Sequence, residues 1–137
     1  MSETVLDKIV KYRREDIARL KIAQPLASFE AELHANDRDF YAAIEGRKNA
    51  GLPAYILECK RSSPSQGVIR EDFDLPKIVA AYNPYATAMS VLTESRHFGG
   101  DFKNLSIAKA TSTCPILCKD FVVDAYQIYL ARYHGAN

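Results

Sequence analysis

The sequence predicts an α/β fold built on parallel strands. Three observations carry that expectation. Short apolar runs ending in polar or charged residues begin near residues 54, 86 and 115. A stretch with helical periodicity follows each of them. Their separation of about thirty residues is what a helical crossover between parallel strands needs.

The chain has 137 residues, a single-domain length with room for one core. Apolar residues make up 47% and charged residues 26%, which excludes wholesale disorder. Eighteen Lys and Arg face seventeen Asp and Glu, a net charge of +1. That balance lacks the basic excess of a nucleic-acid binder, so no nucleic-acid partner is expected. No apolar stretch approaches a membrane span of about 18 residues, and no membrane partner is expected. The opening MSETVLDKIVKYRRED mixes acids with bases and does not read as a signal peptide. Three cysteines, an odd number, fit a reducing compartment, and the expected location is the cytoplasm.

The elements follow in order. The first twenty residues read as a helix capped by Ser2 or Thr4, with Leu6, Ile9 and Val10 on one face. Arg13 interrupts that stripe, Ile17 and Leu20 resume it, and Pro25 ends the helix. A short helix is expected over Asp39 to Arg47, before the turn residues Asn49, Gly51 and Pro53. Residues 54–60 (AYILECK) read as a strand and residues 61–70 as a polar loop. Leu75, Ile78, Val79 and Tyr82 then fall at helical spacing, with Asp74 as N-cap and Pro76 in the first turn. Residues 86–93 (ATAMSVLT) form the second strand, followed by Gly99, Gly100 and a weaker helix from Asn104 to Ala110. Residues 114–121 (CPILCKDF) form the third. Its helix starts at a capping-box-like Asp124 and Gln127, carries Tyr126, Tyr129, Leu130 and Tyr133 as its stripe, and stops at Gly135. Two architectures use this repeated unit, the eight-stranded barrel and the open doubly wound sheet.

In both, chemistry sits where strands end. Here those ends carry Glu58 and Lys60, Thr93 and Glu94, and Lys119 and Asp120. Side chains alternate along a strand, so Glu58 and Lys60 share a side of theirs, and by the same count Lys119 and Phe121 share a side of theirs. Two lysines and a glutamate converging on a barrel mouth make chemical sense, whereas a sheet covered on both faces has no use for them. The bland reading is that each lysine is simply the first solvated residue after burial. By the same alternation Cys59 and Cys118 face the helix layer as small apolar fillers, and Cys114 and Cys118 make no zinc spacing. His34, His97 and His134 are scattered in sequence, with no neighbouring acid or nucleophile that suggests a triad. Among them only His97, in a loop after a strand, invites attention. Residues 61–67 (RSSPSQG) are rich in hydroxyls and backbone donors, as an anion-binding loop would be, but carry no nucleotide P-loop signature.

Three ordered segments resemble a known family. ECKRSSPSQGVIR, from Glu58 to Arg70, is similar to the first-strand signature of indole-3-glycerol phosphate synthases, with its core E-x-K-x-x-S-P-S. SVLTE from Ser90 with FGG from Phe98 resembles the second-strand segment, and PILCKDF from Pro115 the third. PLASF from Pro25 and RDFY from Arg38 are similar to the extra helices that precede the barrel in enterobacterial-type members, in which an isomerase domain is often fused.

The resemblance implies a TIM (β/α)8 barrel, here its first part within a single domain: residues 1–50 the extra helices and residues 54–137 the first three βα units. It implies ring closure of 1-(2-carboxyphenylamino)-1-deoxyribulose 5-phosphate with loss of carbon dioxide and water, in tryptophan biosynthesis, without metal or organic cofactor. By motif, Lys119 matches the family's general acid, Lys60 a second lysine contacting anionic groups of the substrate, and Glu58 the glutamate that assists proton transfer. Ser63 matches a substrate-contacting position, and Phe98 and Phe121 match aromatics against the anthranilate ring. A complete barrel takes roughly 200 residues or more. The family's general base and phosphate site are expected beyond Asn137, so the chain is expected to be an amino-terminal part, inactive alone, completed by a carboxy-terminal barrel portion. The alternative expectation is a small, non-catalytic α/β module that binds an anionic ligand or a partner. A flavodoxin-like sheet would need further strands and a switch-point ligand loop.

Overall fold

The computed structural model of the protein describes residues 3–137. Ser2, one of two expected caps, lies outside them, and Thr4 does the capping. Helix α1 (Val5–Ala23) starts with a complete capping box. The Asp7 backbone N–H donates to Thr4 Oγ1 at 3.1 Å, and the Thr4 N–H donates to the Asp7 carboxylate at 2.9 Å. The buried face of the helix is Ile9, Arg13 and Ile17. This corrects the expected stripe. Leu6 is exposed, and Arg13 is the centre of the face rather than a break in it. The reason is a partner 107 residues away: the guanidinium is taken up by Asp120.

Two 3-10 turns (Leu26–Ser28 and Glu30–Glu32) then bury Phe29 against Tyr126 and Tyr133, with ring centroids 5.9 and 4.9 Å apart. Helix α2 (Phe40–Asn49) begins at Asp39, whose carboxylate accepts from the Ala42 N–H.

The three βα units follow. Strands β1 (Ile56–Cys59), β4 (Ala88–Leu92) and β5 (Ile116–Lys119) form one parallel sheet in the order β1-β4-β5. Helices α3 (Leu75–Tyr82), α4 (Lys103–Thr111) and α5 (Tyr126–Tyr133) come after each strand in turn. The polar loop after β1 contains a two-residue hairpin, β2 (Ser62–Ser63) with β3 (Gly67–Val68), turned by Gly67 at φ +64°. Asp74 caps α3 by accepting from the Lys77 N–H, with Pro76 in its first turn. In α5 the Gln127 side chain reaches back to accept from the Val123 and Asp124 N–H groups. Gln127 is therefore buried, whereas Tyr129, expected in the stripe, stays exposed.

Register sorts the sheet into two faces. Glu58 lies opposite Ser90, Ser90 opposite Leu117, and Leu92 opposite Lys119. On the other face Cys59, Met89, Val91 and Ile116 pack against Leu75 and Val79 of α3, Leu105 and Ala108 of α4 and Leu130 of α5. Burial pushes the Cys59 thiol up to about 12 and the Cys118 thiol up to about 11, so both are protonated, inert fillers of the helix layer. Among the described residues only β4 has a strand on each side, and the outer edges of β1 and β5 pair with no further strand, so the sheet is open and not a closed ring. No helix among the described residues is long and apolar enough to cross a membrane.

Candidate active site

Glu58, Ser90 and Lys119 sit on three adjacent strands and point from the same face. Parallel pairing brings them together although 61 residues separate the first from the last. The Lys119 ammonium donates to Glu58 Oε2 at 2.6 Å, and the Ser90 hydroxyl donates to the same oxygen at 3.2 Å. Lys60 Nζ lies 3.1 Å from the other carboxylate oxygen. Partial burial would raise the Glu58 carboxyl, but the two ammonium groups outweigh it and hold it below its ordinary value. Two ammoniums share one carboxylate, so the cluster carries a net positive charge. Lys119 is 55% exposed, with a proton to offer to whatever occupies the open face. Such a group can neutralise an oxyanion that develops beside it.

Phe98 and Phe121 form an aromatic pair next to this cluster in sequence, with ring centroids 6.0 Å apart. Phe121 follows Lys119 by two residues, and Phe98 comes from the loop after β4. The serine-rich loop docks on that second loop: the Ser62 N–H donates to the Phe98 carbonyl, and the Ser62 hydroxyl to the His97 carbonyl, both at 3.3 Å. Ser63 is buried and its hydroxyl accepts from the Gln66 N–H at 3.2 Å. It shapes the turn of its own loop, and no hydrogen bond joins it to Glu58, Lys60 or Lys119. A cleft of about 560 Å³ opens beside Glu58 and Lys60, walled further by Arg70, Asp72, Lys77 and Tyr82. Lys119 is not part of its wall.

Reading the sequence alone missed several residues. Ser90 was findable, since alternation along β4 puts it level with Glu58. Arg13 and Asp120 were not, because nothing local announces a pair so distant in sequence. Asp120 lies on the face opposite Lys119, accepts from Arg13 and takes a further hydrogen bond from Thr93 Oγ1 at 2.6 Å. The histidines also need correcting. His97 Nδ1 lies 3.2 Å from Glu94, and His134 Nδ1 3.0 Å from Ser106 Oγ. Neither makes a triad: His97 faces the Tyr12 ring, and the Ser106 hydroxyl also bonds the His134 carbonyl, with no carboxylate hydrogen-bonded to the pair. Among the described residues no group of three or more His, Cys, Asp or Glu side chains could hold a metal ion.

The family model described as indole-3-glycerol phosphate synthase matches residues 6–137. The chain belongs to that family. It is 48% identical over 135 residues to the tryptophan biosynthesis protein TrpCF of Salmonella typhi, covering 98% of this chain and 29% of that protein. The TrpCF protein of Vibrio parahaemolyticus is 47% identical over 133 residues (97% and 27%), and that of Buchnera aphidicola subsp. Diuraphis noxia 45% over 137 residues (100% and 29%). The chain thus spans less than a third of the length of these relatives. The family is a TIM barrel, and the parallel three-stranded sheet is the part of it described by these residues.

Proposed function

We propose that this chain carries the acid side of an indole-3-glycerol phosphate synthase site. The reaction closes the ring of 1-(2-carboxyphenylamino)-1-deoxyribulose 5-phosphate. The aromatic carbon bearing the carboxylate attacks the ketone carbon, the carboxylate leaves as carbon dioxide, and the former carbonyl oxygen leaves as water. Both oxygen events call for a proton at that oxygen. The observation that carries the reading is the Lys119 ammonium, held at 2.6 Å by Glu58 and half open to the free face. In this reading Lys119 is the general acid, Lys60 binds anionic groups of the substrate, and Glu58 orients both lysines and assists the proton's return. Phe98 and Phe121 pack on the anthranilate ring, and Ser63 sets the loop that meets the substrate. The names of the relatives support a place in tryptophan biosynthesis; a cytoplasmic location belongs to this reading and is not carried by those names.

The general base, the phosphate-binding loops and a fused isomerase domain belong, in this reading, to segments other than residues 1–137. The chain alone is then inactive. The test is formation of indole-3-glycerol phosphate by the chain alone, and by the chain mixed with a separately made polypeptide carrying the remaining strands. Activity confined to the mixture, lowered about 10²–10⁴-fold by Lys119→Ala, supports the proposal. Activity of the chain alone overturns the division of the site. Silence from pieces shown to be folded favours a non-catalytic module that binds an anionic ligand or a partner.

A further inference from the structure

Glu94 is a charged side chain that the proposed chemistry does not use, and it is completely buried. Its carboxylate ends the second strand segment and turns back into the loop that follows. Oε1 accepts from the Arg96 N–H at 3.0 Å, and Oε2 from the His97 and Phe98 N–H groups at 2.7 and 3.0 Å. Among the described residues its only ion-pair contact is with His97 Nδ1. Three consecutive backbone donors therefore do most of the work of solvating a buried carboxylate, as in an anion nest made by the chain for its own side chain. The Gly100 N–H closes the loop on the Glu94 carbonyl at 2.8 Å. Gly100 has no substitute there, since a Cβ would lie 2.4 Å from the Leu92 carbonyl oxygen.

With its N–H groups turned inward, the loop turns the His97 and Phe98 carbonyls outward, where both accept from Ser62. The same turn sets the Phe98 ring beside Phe121. One carboxylate thus fixes the aromatic wall and the seat of the serine loop together. We infer that Glu94 is a positioning residue for substrate binding: it holds Phe98 and the Ser62–Ser63 segment in register and leaves the acid step to Lys119. This deepens the proposed synthase reading and rests on it.

The test uses Glu94→Gln, which keeps shape and one acceptor oxygen, with Glu94→Ala beside it. Asp16→Asn serves as control, because Asp16 grips the same loop from outside through Arg96 without touching the nest. Amide hydrogen exchange on the chain is read at residues 62 and 96–98. Steady-state kinetics are read on the chain combined with the remaining strands. Glu94→Gln is expected to speed exchange at these amides and raise KM, each about tenfold, with kcat within about twofold, and Asp16→Asn to change neither. Unchanged exchange in Glu94→Gln overturns the inference, whatever the kinetics. A fall in kcat at constant KM overturns it too, by assigning Glu94 to the chemistry. Should the combined pieces form no product, the synthase reading fails while the exchange result still decides whether Glu94 builds the loop. If Glu94→Ala does not fold, Glu94→Gln alone decides.

Discussion

Glu58 takes its charge partners from two segments, Lys60 two residues on and Lys119 two strands away, and a third donor from Ser90 between them. Its carboxyl titrates below the ordinary value of 4.5. A carboxyl lowered in the folded state stabilises it fully above the ordinary value and loses that contribution as the pH falls through the lowered one. Lys119→Met removes one ammonium and leaves burial opposed mainly by Lys60. The Glu58 midpoint, followed by carboxyl carbon NMR, is therefore expected to move upward; an unmoved midpoint would mean that the lysine contact does not persist in solution. At this scale Glu58, Lys60 and Lys119 were legible in the sequence because strand alternation is a local rule. Glu94 read only as a polar strand end, since its three partners are backbone groups that have no letter in a sequence.

Helix α1 is held to the sheet at strand ends rather than along strand faces. Arg13 donates to Asp120 and to the Thr93 carbonyl, and Arg96 stacks over Tyr12 with its centre 4.7 Å from the ring while pairing with Asp16. The Arg13–Asp120 pair is buried on both sides. Removing one partner of such a pair strands the other charge, so Arg13→Met is expected to cost about 3–5 kcal/mol in urea unfolding. Joint replacement as Arg13→Met with Asp120→Leu is expected to recover most of it. If the single and double variants unfold alike, the pair is not what holds the helix. Elements with their own punctuation were readable, α3 above all, from Asp74 and Pro76. Element faces were less so: apolar periodicity read Arg13 as a break in the α1 stripe and placed Tyr129 in that of α5, whereas Arg13 is buried on its pair with Asp120 and Tyr129 is exposed.

Among the described residues one strand, β4, is flanked on both sides, with all five of its residues buried, and the two strands beside it have open outer edges. Edge strands of this kind add further strands readily. The apparent mass of the chain alone, from light scattering, is expected to rise with concentration, to fall toward that of a one-to-one complex when the polypeptide carrying the remaining strands is added, and to be reduced by Leu117→Lys on the exposed face of β5. A monomer at all concentrations would contradict this. The α/β class was legible from the thirty-residue repeat, and the openness of the sheet from the count of three βα units against the roughly 200 residues that a complete barrel takes. The clasp between Arg13 and Asp120 also sets a timetable. Synthesis proceeds at roughly 5–20 residues per second, so on the order of 5–20 s pass between the emergence of the arginine and that of its acid. For that interval α1 carries its guanidinium and its Ile9 and Ile17 face into solvent, a nascent segment available to chaperones before the sheet exists to receive it.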